Sequence, residues 1–195
     1  MQVGADDEGH STRSVLTRRL ILRTPDAWDH AAIAALAANP RVAENLAAVP
    51  AALGGLGGAI FAIVDRATRL VIGTAAFGPT ADRPASFEIA SFVGEPHWGR
   101  GFATEATQAA IDRAFADERI LRLWCANRVT NARARRVIEK CGFQFREGGM
   151  ARSPTGKGAV PIERFVLDRR NWLSLKAWGS IHATGEFDAP RHTAA

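Results

Sequence analysis

Hydrophobic and polar positions follow two periods along this chain, and the change of period divides it into two halves. The run LTRRLILRT at 16–24 fits an edge strand, and Thr24 before Pro25 and Asp26 supplies a helix start with proline in the first turn. A helix through AWDHAAIAALAAN follows, then a short helical stretch after Pro40. AVPAALGGLGG at 48–58 is glycine-heavy and without period, and it reads as a loop. IFAIVD at 60–65, the polar turn RATR, and LVIGTAAFG at 70–78 form a hairpin, and FEIASFVG at 87–94 is the next strand. From there strands and helices alternate. A helix is expected from Ala103 to Ala116, a strand over ILRLWCAN at 120–127, and a helix from Asn131 to Lys140 that Gly142 stops. FQFREG at 143–148 and PIERFVLD at 161–168 are short strands, followed by a helical turn in RRNWLSLKAW.

Hairpins first and helix alternation afterwards imply an α/β (α+β) domain, with a mixed central sheet of six to seven strands and helices on both faces. The domain is expected over residues 15–178, between a disordered lead-in at 1–14 and a poorly ordered tail at 179–195. At 195 residues with 47% apolar content, the chain is long enough to bury one sizeable core. No apolar run has the length of a membrane span, and acidic residues stand where a signal peptide carries basic then apolar ones, so a cytoplasmic location is expected. Cys125 and Cys141 lie in apolar contexts and read as buried free thiols, with no metal site implied. A formal charge of +5 is compatible with nucleic acid, an anionic surface or a small phosphorylated ligand, and only the placement of the charge separates them.

The chemistry concentrates in HWGRGFATEA at 97–106, where a strand runs into a glycine-punctuated turn and then a helix. Such a helix start leaves backbone N–H groups unpaired, and Gly99 and Gly101 remove the Cβ atoms that would hold a phosphate away. An ordinary glycine-hinged turn has the same two glycines. A dinucleotide fingerprint fails because its third glycine position is Thr104, and a Walker loop fails because Gly-Lys-Ser/Thr is absent.

The stretch resembles the coenzyme A pyrophosphate loop of the GNAT superfamily of N-acetyltransferases, Gln/Arg-x-x-Gly-x-Gly/Ala, whose second half Gly101, Phe102 and Ala103 match. The resemblance continues through EIASFVG, PHWGRGFATEA, the run from Asn131 to Phe143 and LDRRNW, covering roughly residues 15–175 in family order. It is nearest to the branch that includes the ribosomal-protein alanine acetyltransferases, where W-G-x-G-[YF]-A-T-E-A is common. The resemblance implies acetyl-CoA as co-substrate, with the backbone of Trp98, Gly99, Arg100, Gly101, Phe102, Ala103 and Thr104 around the pyrophosphate. It implies a strand at Phe87–Gly94 that splays from its neighbour, offers backbone groups of Ser91, Phe92 and Val93 to the pantetheine arm, and leaves Asn131 to touch that arm while capping the next helix. Of Arg100, Arg128, Arg133, Arg135 and Arg136, one or two meet the 3′-phosphate, Arg136 among the candidates. That placement accounts for the basic balance without nucleic acid or a membrane, and a homodimer is compatible with it.

Transfer to an amine needs the amine unprotonated, so a base must accept a proton. Glu88, inside the apolar FEIASFVG strand, matches the family's glutamate in E-I-G-Y-x-V and is the catalytic candidate; a surface or arginine-paired glutamate is the plainer alternative. Glu163 ranks second because it shares strand parity with Phe165 and Leu167. His97 reads as a phosphate-side or surface histidine, and Asp29 and His30 as a solvated helix face that could also line an acceptor pocket. The N–H of Phe92 or Val93 is the oxyanion donor by family geometry. Trp98 replaces Gln/Arg, Ala134 replaces a frequent serine, and the chain has no tyrosine to act as acid. The expected activity is direct attack by a primary amine, of a protein N-terminus or a small molecule, on acetyl-CoA in a ternary complex. The alternatives are a catalytically weak acyl-CoA sensor and a nucleic-acid binder.

Overall fold

The computed structural model describes residues 14–47, 57–80, 85–153, 156 and 158–183, with side chains through residue 177. The expected disordered lead-in, most of the glycine-rich loop and the end of the tail lie outside the described residues.

Strands β1 (Val15–Leu16) and β2 (Leu20–Arg23) open the fold. The sequence reading has one strand here, but Thr17 N–H donates to the Leu20 carbonyl and Leu20 N–H donates to Thr17 Oγ1, and this closes a turn that folds the run back on itself. Helix α1 (Ala27–Ala38) starts at a reciprocal cap in which Asp26 accepts from the Trp28 and Asp29 amides and Asp29 accepts from Asp26. Asn39 then caps α2 (Pro40–Ala43), with Pro40 in the first turn where no N–H is needed. β3 (Ala59–Asp65) and β4 (Val71–Pro79) form the expected hairpin, and β5 (Ser86–Val93) pairs antiparallel with β4. Helix α3 (Phe102–Phe115) crosses over to β6 (Arg122–Arg128), and α4 (Ala132–Lys140) ends at Gly142, whose φ of 88° favours glycine. β7 (Gln144–Arg152), β8 (Ala159–Asp168) and α5 (Arg169–Ala183) complete the chain.

The eight strands lie in one mixed sheet, in the order β1-β2-β3-β4-β5-β6-β8-β7. Eight exceeds the expected six to seven because the first run splits in two. β8 sits between β6 and β7, which puts β7 at the edge. The expected final turn is instead the fifteen-residue helix α5, held to α3 by Trp172 Nε1 donating to Asp112 and by ring contact with Phe115 at 5.1 Å.

Helices cover both faces. Odd-numbered β5 residues face α3, where Ile89 and Val93 join Phe61, Phe77, Phe115 and Leu123 in the main core and Ser91 Oγ meets Thr107 Oγ1 at 2.9 Å. Even-numbered residues face α1. Arg23, in register with Ala62 on that face, pairs with Asp29 of α1, and a Cβ on Gly94 would strike Leu36.

Candidate active site

The sheet opens between β5 and β6. These strands pair in parallel at Ser86, Phe87 and Glu88 with Arg122, Leu123 and Trp124, and no register continues beyond. β5 stays with β4 as far as Val93, and β6 stays with β8 as far as Arg128, so the two ladders draw the neighbours apart. Which backbone groups face the resulting fork follows from the ladder. Gly94 N–H bonds to the Ile72 carbonyl, and opposed residues in an antiparallel pair alternate between bonded and non-bonded. Phe92, Ala90 and Glu88 therefore turn their amide groups to β4, while Val93, Ser91 and Ile89 turn theirs to the fork. Two contacts agree: the Phe92 carbonyl lies 2.1 Å from where a Cβ on Gly73 would sit, and the Val93 carbonyl accepts from Trp98 Nε1 at 2.6 Å. Of the two oxyanion donors named from sequence, Val93 has its N–H on the fork side and Phe92 does not.

The fork leads to the glycine turn. A 3-10 turn at Glu95–His97 brings the chain round, and Gly99 and Gly101 adopt φ of 74° and 79°, where a side chain is strained. Gly101 caps α3 without any side-chain bond. Among the described residues, no N–H from Gly99 to Thr104 has a hydrogen-bond partner. A Cβ on Gly99 would meet nothing within 4 Å, so the concavity is open on that side. Six adjacent unbonded donors at the positive end of a fourteen-residue helix have the chemistry to receive an anionic group. The guanidinium groups of Arg19 and Arg100 lie 4.6 Å and 4.9 Å from the Phe102 ring centroid, adding positive charge beside it. At the fork's mouth the Trp98 ring has Arg41 at 5.8 Å and Arg133 at 5.6 Å.

Glu88 is the last β5 residue to pair with β6, half-buried at the point where the fork begins and on the α1 face with Trp124. Burial pushes the neighbouring Cys125 thiol up to about 12, and the Glu88 charge and Cys141 add to it; burial does the same at Cys141. Both thiols are free, as expected. Glu163 keeps the expected parity with buried Phe165 and Leu167, which places it on the α4 side, where Arg135 donates to it at 2.8 Å. It is on the opposite face of the sheet from Glu88.

The Asn131 amide has internal partners at both ends. Its oxygen accepts from Ala134 N–H at 3.0 Å, capping α4 as expected, and its nitrogen donates to the Asn45 carbonyl at 3.2 Å. His97 stacks edge-on to Phe102, and its Nδ1 is buried without a partner among the described residues. Asp29 is not on a solvated face: it is buried, and the hydrogen bonds from the Arg23 guanidinium hold its carboxyl below the usual range against the cost of burial. His30 is exposed. Arg135 is committed to Glu139 and Glu163, and Arg128 to the Glu44 carbonyl, whereas Arg100, Arg133 and Arg136 are exposed. Sequence reasoning missed Arg19, Thr17 and Glu105. The carboxylate of Glu105 in the first turn of α3 was visible, but nothing local connects it to a turn 86 residues earlier.

The sequence profile of the acetyltransferase (GNAT) domain family matches residues 19–144 of this chain. A Bacillus licheniformis protein described as an uncharacterized N-acetyltransferase p20 is 30% identical over 113 residues, which make up 57% of this chain and 63% of that protein. That match spans less than two thirds of the relative's length. The spermidine N-acetyltransferase of Vibrio cholerae, solved with CoA and spermine, superposes with a TM-score of 0.68 at 18% identity, covering 80% of this chain and 99% of that one. The ribosomal-protein-S5-alanine acetyltransferase of Vibrio fischeri does so with a TM-score of 0.67 at 16% identity, covering 82% and 98%. At these identities the likeness is one of fold.

Proposed function

This chain belongs to the acetyltransferase (GNAT) domain family of acyl-transferring enzymes, and on that premise we propose that it moves an acetyl group from acetyl-CoA to a primary amine by direct attack in a ternary complex. The observation that carries the reading is the continuity of the fork with the row of unbonded donors from Gly99 to Thr104. A pantetheine arm has amides spaced to add to the free edge of β5 at Ser91 and Val93, and a diphosphate fits the donor row beyond it. The turn residues Gly99 to Thr104 hold the diphosphate through the main chain, Trp98 dropping out of the set expected from sequence because its N–H donates to the Glu95 carbonyl at 3.1 Å, and Arg100 or Arg136 meets the 3′-phosphate. Asn131 reaches the arm when its bond to Asn45 is exchanged.

This threading puts the thioester near the start of the fork. Glu88 stands there on the α1 face and takes the proton from the acceptor amine, directly or through one water. The amine nitrogen bonds to the thioester carbon, a fork-facing N–H of β5 beside Glu88 receives the oxyanion, and the carbon–sulfur bond breaks; Val93, five residues and about 17 Å further along the strand, serves the pantetheine arm instead. The thiolate takes its proton from water, because the chain has no tyrosine and Ala134 has no hydroxyl. The acceptor is a small-molecule amine or a protein N-terminus; one Vibrio neighbour is named for spermidine and the other for an alanine of ribosomal protein S5. We assign the catalytic unit to residues 15–178, in the cytoplasm, with a homodimer as the assembly to test.

The test is release of free thiol from acetyl-CoA with a panel of amines, for the wild type and Glu88→Gln. Turnover on at least one amine, falling by about 10²–10⁴ in kcat in the variant, is expected for loss of a general base. Tight CoA binding with no turnover on any amine would favour the sensor reading, and equal rates for the two proteins would remove Glu88 from the mechanism.

A further inference from the structure

We propose that Arg19, held by Glu105 and Thr17, is a positioning residue for the diphosphate of the co-substrate, acting through the Arg100 carbonyl. The inference rests on the acetyl-CoA reading of the site and goes beyond the donor row itself.

Glu105 lies in the first turn of α3, one turn from the place assigned to an anion. Its charge alone would repel that anion. It points instead at the β1–β2 turn, where its carboxylate accepts from Thr17 Oγ1 at 2.6 Å, the Arg19 N–H at 2.8 Å and Arg19 Nε at 2.7 Å. The side chains of Arg19 and Glu105 are only 33% and 17% exposed, so this is not one of the solvated surface bridges that contribute almost nothing. Burial raises the carboxyl's pKa, but the bonds from Thr17 and Arg19 outweigh it and hold the group ionised below its ordinary range.

With Nε fixed on Glu105, the rest of the guanidinium has one orientation. Nη1 donates to the Arg100 carbonyl at 2.8 Å, and Nη2 lies 3.3 Å from where a Cβ on Gly101 would sit. A trans peptide directs its C=O and N–H to opposite sides. Pinning the Arg100 carbonyl towards Arg19 therefore turns the Gly101 N–H away from Arg19 and keeps it unbonded within the donor row. Thr17 and Glu105 act on the ligand only through this chain of contacts.

The sign of one substitution separates positioning from bulk charge. If Glu105 acts by charge, Glu105→Gln removes a repulsion and tightens CoA binding. If it acts by holding Arg19, the same change weakens it. Calorimetry with CoA on the full chain is expected to show about tenfold weaker binding for Glu105→Gln and for Arg19→Lys, which keeps the charge but cannot hold Glu105 and the Arg100 carbonyl together. The kcat/KM for acetyl-CoA should fall by that factor more than for S-acetylpantetheine, which has no diphosphate. Thr17→Val, which removes one of the three bonds, should shift the same ratio by less and serves where Arg19→Lys fails to fold. Unchanged or tighter CoA binding by Glu105→Gln overturns the proposal, as do equal losses on the two thioesters. A wild type that binds no CoA sinks the parent reading as well, whereas tight wild-type binding with unaffected variants sinks this inference alone.

Discussion

Gly73 is where the fork's stability should be most sensitive to a single methyl. It sits near the start of β4 opposite Val93, and its φ is not one that demands glycine; the constraint is space alone. A Cβ there would lie 2.1 Å from the Phe92 carbonyl oxygen, 2.9 Å from Val93 Cα and 3.1 Å from Phe92 C, all main-chain atoms that cannot rotate aside. Gly73→Ala must then push β5 away from β4 at the end that borders the fork. Overpacking costs about 1–3 kcal/mol and a weakened ladder bond about 0.5–1.5 kcal/mol, so we expect a loss of about 2–4 kcal/mol. At roughly 2–4 °C per kcal/mol for a domain of this size, Tm should fall by roughly 5–15 °C. Gly149→Ala on β7 is the control, because it makes the same chemical change in a strand where a Cβ meets nothing within 4 Å. Thermal unfolding followed by circular dichroism at 222 nm reads both, and CoA calorimetry below the transition should show weakened binding for Gly73→Ala only. Equal Tm shifts for the two variants would refute the argument from space.

Two further outcomes follow from the titrating groups. Arg23 holds the Asp29 carboxyl below its ordinary range, so the folded chain binds fewer protons than the unfolded one in acid; that stabilisation is present above the unfolded carboxylate value of about 3.9 and is lost as pH falls through the lower folded value. Asp29→Asn should be less stable than wild type at neutral pH, with the difference in urea midpoint narrowing below about pH 4, and a constant difference down to pH 3 would contradict the pairing. Both thiols are pushed up to about 12, so iodoacetamide at pH 8 should alkylate Cys125 and Cys141 at least about a hundredfold more slowly in the native chain than in urea, with rapid native labelling by mass spectrometry as the opposing result.

Much of the fold and part of the site were legible along the chain. The β3–β4 hairpin, the Gly142 stop of α4 and the glycine turn before α3 each depend on residues within a few positions of one another, whereas the start of α1 moved from the expected Thr24 to Asp26, leaving Pro25 ahead of the helix, because Asp26 and Asp29 cap each other. Local sterics and hydrogen bonding write such features directly into the sequence. Phe165 and Leu167 came out buried because strand parity is also local. The two free thiols followed from their apolar surroundings in the same way.

Other features join residues far apart, and only folding decided them. A threonine closing a turn on Leu20 divided a run that reads as one strand, and β8 entered the sheet between β6 and β7. Glu163 and Glu88 look alike as apolar-strand glutamates, yet the register put them on opposite faces of the sheet, one under Arg135 and the other at the fork. The fork arises because β5 and β6 each follow a different partner, and no short stretch of sequence records that competition. The contact of Arg19 with Glu105 spans 86 positions; its two halves acquire a common purpose only when the sheet brings the β1–β2 turn against the first turn of α3.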